Sequence, residues 1–234
     1  SKKGSSRNWT KYARYESKNI AKIKDLPFVK SDYSVTNLSQ INSNAEDYAP
    51  YVNGDQLIFT SSRGEGKLYN GNGMGFQDLY VTTTSADSVT KFDEGVINMS
   101  ETHEGTVTIH PDGNVMVFAR SNDGSKKGDM ELNLWMSKKG EDGKWGTAEK
   151  ISITDENKWD GCPMFSNDGS KLYFSSNRKG GKGGLDIYSS DYKDGKFEKP
   201  VNLGSKVNSF GNEMFPFEHE SGDLYFSSTG HVGY

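Results

Sequence analysis

The residues of this 234-residue chain best suited to chemistry are acids and arginines that recur at one register. Asp47, Asp160 and Glu213 each stand three residues before a proline (Pro50, Pro163, Pro216), and Glu104 stands three before Val107. Arg63 and Arg178 occupy matching positions further on. A guanidinium beside a carboxylate makes short, charge-assisted and often bidentate hydrogen bonds. Such a pair either fixes a loop or grips a charged ligand. The preferred reading is a structural register made of Asp47, Arg63, Glu104, Asp160 and Glu213, with direct ligand contact kept as the alternative. Other chemistry is thinly supplied. His103, His110, His219 and His231 share no metal-binding spacing and read as scattered surface residues. The single Cys162 permits no internal disulfide and no multi-cysteine zinc site, and it reads as a core thiol. The stretch 123–129 has two acids without calcium-loop spacing, and 180–184 is glycine-rich without the rest of a phosphate-binding loop. No catalytic residue, metal or cofactor is therefore expected.

The elements that position these residues come from an internal repeat. The cores Leu57-Ile58-Phe59-Thr60-Ser61, Met116-Val117-Phe118-Ala119-Arg120, Leu172-Tyr173-Phe174-Ser175-Ser176 and Leu224-Tyr225-Phe226-Ser227-Ser228 align, with Phe spacings of 59, 56 and 52. Upstream, Ile41, Ile97, Ile151 and Val207 begin a second recurring element, so units start near 41, 97, 151 and 207. Within the third unit, 163–166, 171–176 and 185–189 read as strands, with Asp168-Gly169 as a hairpin turn and Asp194-Gly195 as another. About 55 residues and four strands per unit imply an all-β fold, a β-propeller of four-stranded blades, about three and a half of them in this chain. Strands should begin near Ala49, Val107, Cys162 and Met214, with Phe59, Phe118, Phe174 and Phe226 buried. The second unit, with Ala119-Arg120 and no proline, is the most diverged. Residues 1–31 read as a basic helix or linker, with Trp9, Tyr12, Ala13, Ile20 and Ile23 near one face and Leu26-Pro27 as its stop. Residues 32–234 form the propeller, and Tyr33 to Leu38 is an alternating strand suited to closing a ring.

Composition and charge agree with this reading. Apolar residues reach only 32%, but aromatics reach 12% and the 27 glycines are spaced along the chain, as turn-rich all-β proteins require. Residues 1–30 carry nine Lys or Arg against two acids, while the remainder carries 19 against 30. A body so acidic is a poor partner for a phosphate backbone, so nucleic acid is not expected. No apolar run is long enough for a transmembrane helix.

The stretch Pro163 to Arg178, followed by Gly183-Gly184-Leu185-Asp186-Ile187-Tyr188, resembles the PD40 (WD40-like, TolB-type) propeller repeat. Val201 to Gly204, Val207 to Ser209, Asn212 to Phe217 and Leu224 to Ser228 resemble, more narrowly, the propellers of OmpA-family envelope proteins of Bacteroidetes. Some of those belong to the type IX secretion and gliding machinery. The resemblance implies a non-catalytic periplasmic, outer-membrane-associated module that presents a loop face to protein partners of the envelope. Peptidoglycan would be reached only through a domain absent from this sequence, and the chain reads as a piece of a longer protein. Long loops share the face of the acids, and the binding candidates there are Lys126, Lys127, Arg178, Lys179, Lys182, Trp159 and Phe210. A propeller enzyme (peptidase-associated, polysaccharide hydrolase or lyase) and a glycan-binding module remain the alternatives.

Overall fold

The computed structural model describes residues 10, 13–15, 17–18, 20–22, 34–64, 68–69, 73–83, 88–92, 96–100, 102–121, 132–155 and 157–231. Strands run as antiparallel meanders in chain order. Unit 1 holds β1 (Asp47–Asn53), β2 (Gln56–Ser61), β3 (Asp78–Thr83) and β4 (Thr90–Lys91). Unit 2 holds β5 (Glu104–Ile109), β6 (Val115–Ser121), β7 (Leu132–Lys138) and β8 (Glu149–Lys150). Unit 3 holds β9 (Asp160–Phe165), β10 (Lys171–Ser176) and β11 (Asp186–Lys193), whose outer edge is shared by β12 (Lys196–Phe197) and β13 (Val201–Asn202). Unit 4 holds β14 (Glu213–Glu218) and β15 (Leu224–Ser228). The first hairpin of each unit turns on a glycine with φ between 64° and 85° (Gly54, Gly113, Gly169, Gly222), a conformation that costs other residues steric strain.

Successive units stack face to face, so sheets with both faces covered replace a polar–apolar alternation. Ile58, Leu79 and Phe92 of unit 1 meet Ile97, Val107, Ile109, Met116 and Phe118 of unit 2. Val115, Val117, Ala119 and Leu134, from the other face of unit 2, meet Ile153, Phe165, Leu172, Phe174 and Tyr188 of unit 3. This is why Val115 to Arg120 is buried at every position. The innermost strands β1, β5, β9 and β14 neighbour one another in turn and line a common cavity of about 670 Å³. Four-stranded blades around a shared axis make this an all-β, β-propeller fold.

Each innermost strand carries the same irregularity. The register slips beside Ala49, Thr106, Cys162 and Phe215, which have φ between 46° and 53°. A non-glycine residue held there costs about 1–3 kcal/mol. Proline follows in three units (Pro50, Pro163, Pro216), and having no N–H it leaves no donor unpaired at the bulge.

Several expectations are corrected. The innermost strands begin two or three residues earlier than read from the sequence, except at Met214, so the recurring acids are their first residues. The connector of unit 3 is matched by its hydrogen bonds to Ile153-Thr154-Asp155, two residues beyond the Ile151 of the sequence alignment. Residues 34–38 form no strand and are exposed. Phe59, Phe118 and Phe174 are buried, but Phe226 is only half-buried, because among the described residues no third strand covers it. Residues described between 10 and 22 are helical, whereas Trp9, Tyr12, Ile23, Leu26 and Pro27 lie outside the described residues.

Candidate interaction face

The acid register is built from the backbone outward. Asp47, Glu104, Asp160 and Glu213 pair in register with Ser61, Arg120, Ser176 and Ser228 on the second strands. In unit 1, Arg63 Nη2 donates to Asp47 Oδ1 at 2.6 Å and to the Ile41 carbonyl at 2.8 Å, while Arg63 Nε donates to Ser61 Oγ at 2.9 Å. Unit 3 repeats it: Arg178 Nη2 donates to Asp160 Oδ1 at 2.9 Å and to the Ile153 carbonyl at 3.1 Å, and Nε donates to Ser176 Oγ at 3.0 Å. The second carboxylate oxygen accepts from the connector backbone, from Ser43 N–H on Asp47 at 2.6 Å and from Asp155 N–H on Asp160 at 2.8 Å. One ion pair thus ties together a connector, a first strand and the end of a second strand.

Unit 2 reaches the same end by another route. Arg120 stands where the other units have serine, two residues earlier than Arg63 or Arg178, and its Nε donates to Glu104 Oε1 at 2.7 Å while Nη2 donates to the Ile97 carbonyl at 2.6 Å. The longer Glu and the nearer Arg compensate. All three guanidinium groups lie over a cross-strand aromatic pair: Arg63 over Phe59 and Tyr80, Arg120 over Phe118 and Trp135, Arg178 over Phe174 and Tyr188, at 4.8–5.3 Å from the ring centres. From the sequence Arg120 reads as divergence. Its alternation with Phe118 was the available signal, since residues i and i+2 share a face.

Unit 4 has Gly230 at the register of Arg63 and Arg178. Glu213 is fully buried and accepts from Ser209 N–H at 2.9 Å, Ser209 Oγ at 2.5 Å and Ser228 Oγ at 2.6 Å. His231 takes over part of the missing role: its Nε2 lies 2.7 Å from the Val207 carbonyl, and its ring meets Phe226 edge-on at 5.6 Å.

The environments differ electrostatically. Burial acts to raise Asp47, but hydrogen bonds from Arg63, Ser61 and Ser43 outweigh it and hold the carboxyl at about 2. In unit 2 burial dominates and pushes Glu104 up to about 7, against the opposing pull of Thr102 and Arg120. On the axis, burial pushes the Cys162 thiol and the Tyr48 phenol each up to about 12. Cys162 is therefore protonated at neutral pH and a poor nucleophile.

The residue before each of the last three acids, His103, Trp159 and Asn212, joins neighbouring units. Gln77 N–H donates to His103 Nδ1 at 3.1 Å and Leu185 N–H donates to Asn212 Oδ1 at 2.9 Å. Trp159 lies on Leu132 across Gly161, where an added Cβ would come within 2.7 Å of both side chains. Trp159 is thus a partly buried contact between units 2 and 3 rather than a free platform. Phe210 is half-buried and its ring lies 6.4 Å from that of Tyr15 in the N-terminal helical segment. Arg178 is engaged as described; Lys179 and Lys182 are exposed on a loop that is itself anchored. Lys182 and Gly183 N–H donate to the buried Asp186, and Gly184 N–H donates to the Gly211 carbonyl of unit 4 at 2.8 Å. A Cβ on Gly183 would sit 2.2 Å from that carbonyl, so only glycine fits. Lys126 and Lys127 lie outside the described residues.

The histidines are not all surface residues. His103 is half-buried against Tyr69 and Phe76, with burial lowering its pKa, and His110 packs edge-on against Phe165 at 5.1 Å. His219 and His231 are exposed. Among the described residues no group of three His, Cys, Asp or Glu side chains is placed to hold a metal ion, and no helix is long and apolar enough to cross a membrane.

Solved structures with this blade arrangement include a putative TolB from Agrobacterium tumefaciens, 18% identical with a TM-score of 0.50, over 75% of this chain and 50% of that one. TolB from Acinetobacter baumannii is 15% identical with a TM-score of 0.50, over 80% of this chain and 39% of that one. An α-L-arabinofuranosidase from Lactobacillus brevis is 14% identical with a TM-score of 0.47, over 81% of this chain and 66% of that one. No protein-family model and no curated protein matches the sequence. At these identities the likeness is one of fold, that of a TolB-like β-propeller, and the chain spans half or less of the length of the two TolB structures.

Proposed function

We propose that this chain is a non-catalytic propeller module of a periplasmic, outer-membrane-associated envelope protein, of the OmpA-related kind that serves type IX secretion, and that it binds protein partners through its long-loop face. The observation that carries the reading is the internal use of the acids. Asp47, Glu104, Asp160 and Glu213 each accept hydrogen bonds from their own unit, and the last three are fully buried. Carboxylates so saturated serve the scaffold. The exposed cations Lys179 and Lys182, on a loop fixed to the next unit, are then the partner contacts. Lys126 and Lys127 belong to the proposal by sequence alone. Trp159 and Phe210 contribute by shaping the face, since both are already half-covered.

Site-specific photocrosslinkers at positions 179 and 182, used in the native envelope, test the reading. We expect one envelope protein to be captured from both positions, with capture lost in the Lys179→Glu and Lys182→Glu double variant at unchanged melting temperature. Hydrolysis of peptide, ester or arabinan substrates that falls with Asp160→Asn while the protein stays folded would overturn it in favour of an enzyme.

A further inference from the structure

We propose that His103 is an acid-sensitive latch between units 1 and 2, which lets go of Gln77, and with it residues 73–77 leading into β3, when its imidazole takes up a proton. The latch is the same whatever the loop face binds, so it stands independently of the function proposed above.

Two hydrogen bonds fasten Gln77 to the next unit. Its N–H donates to His103 Nδ1 at 3.1 Å, and its carbonyl accepts from Glu104 N–H at 2.7 Å. A ring nitrogen accepts only while it carries no proton, so the first bond requires the neutral imidazole with its hydrogen on Nε2. Protonation would set one N–H against another, and that bond would be lost. Tyr69 and Phe76 pack against the ring at 4.7 and 4.9 Å between centres. Residues 73–77 are tied back to Tyr69 in turn, by Tyr69 N–H to the Met74 carbonyl at 2.7 Å and Gly73 N–H to the Tyr69 carbonyl at 2.8 Å. The imidazole thus supports this whole segment from below.

Units 3 and 4 are joined by the same two bonds through a side chain that does not titrate. Leu185 N–H donates to Asn212 Oδ1 at 2.9 Å, and the Leu185 carbonyl accepts from Glu213 N–H at 2.7 Å. Asn212 and His103 each stand directly before the acid of their unit. An amide holds at any pH, whereas the imidazole makes the joint depend on acidity. Burial lowers the pKa of His103 from its ordinary 6.5, against the pull of the Asp78 carboxylate. Asp78 is itself paired with Lys91 at 3.0 Å, Glu104 is paired with Arg120, and Glu46 accepts from the Gln77 side chain at 3.3 Å. With the folded pKa depressed, the latch is closed above about pH 6.5 and is lost as pH falls below it. Glu104 has the opposite sign, since its contribution is lost as pH rises.

The test reads amide hydrogen exchange in the full 234-residue chain, corrected for the intrinsic rate at each pH, with Leu185 as the internal control. Between about pH 7.5 and about pH 5, we expect exchange at Gln77 to speed up at least about threefold while Leu185 stays unchanged. NMR of isotope-labelled imidazoles should place the proton of neutral His103 on Nε2. His103→Asn, which copies the Asn212 arrangement, should abolish the pH response at Gln77 and leave Leu185 as it was. If that variant fails to fold, the comparison of Gln77 with Leu185 in the unaltered chain decides. Equal responses at the two amides, a response that survives in folded His103→Asn, or a neutral proton on Nδ1 would overturn the proposal.

Discussion

Units 3 and 4 share a plan but hold their acids with different partners. Both start with a buried acid, pass a left-handed residue and a proline, turn on glycine and return through an aromatic core. In unit 3 a third strand covers Phe174, and Arg178 spans Asp160, the connector and the Phe174–Tyr188 pair. In unit 4 neither the covering strand nor the guanidinium is described, and hydroxyls and an imidazole take up part of the work. The difference teaches that the acid's partners can all come from the first hairpin and its connector, as Ser209 and Ser228 do for Glu213. The arginine belongs to the completed blade, because its aromatic cradle needs a residue from the third strand.

The largest expected effect tests the aromatic layer. Phe174→Ala should cost about 3–5 kcal/mol in denaturant unfolding, and Phe226→Ala less than half as much, since part of its surface is already in water. Equal costs would break the comparison. Next comes the ion pair. Arg178→Met leaves Asp160 buried without its cation and should cost about 3–5 kcal/mol, near the first effect, whereas His231→Ala removes one exposed contact and should cost under about 1 kcal/mol. Thermal melts of the two variants side by side check this.

Asp160→Ala and Glu213→Ala should each destabilise by about 1–3 kcal/mol, because both strand neighbouring donors in a buried setting. A change below about 0.5 kcal/mol together with lost partner binding would turn these acids into ligand contacts.

A pH dependence also separates units 1 and 2. Glu104 is raised from 4.5 to about 7, so its contribution is fully present below about pH 4.5 and is lost as pH rises through about 7. Asp47 is lowered from 3.8 to about 2, so its contribution is present above about pH 4 and is lost as pH falls through about 2. Glu104→Gln should therefore remove a decline in stability of up to about 1.4 kcal/mol per pH unit between pH 4.5 and 7, leaving the acid limb unchanged. Urea titrations across that range give the comparison.

How much of this was legible in the residues follows from how local each feature is. The repeat, the hairpins and the buried Phe59, Phe118 and Phe174 were readable because strand alternation and Gly-centred turns are written in neighbouring positions. The alignment of Asp47 with Arg63 and of Asp160 with Arg178 followed from repeat spacing alone. Arg120 did not, because a longer acid and a shift of two residues along the strand cancel only when both side chains are placed in space. Trp159 looked like a free loop aromatic, yet Gly161 lets it lie on Leu132 of the preceding unit. Nor could residues that look like surface histidines announce that His103 and His110 fill gaps between units. Sequence by itself determined the blades, their order and the acid at the start of each, since these depend on contacts within one repeat. Only the tertiary structure decided which side chains those acids hold and which loop residues are covered by a neighbouring unit, because each depends on how side chains and units meet in space.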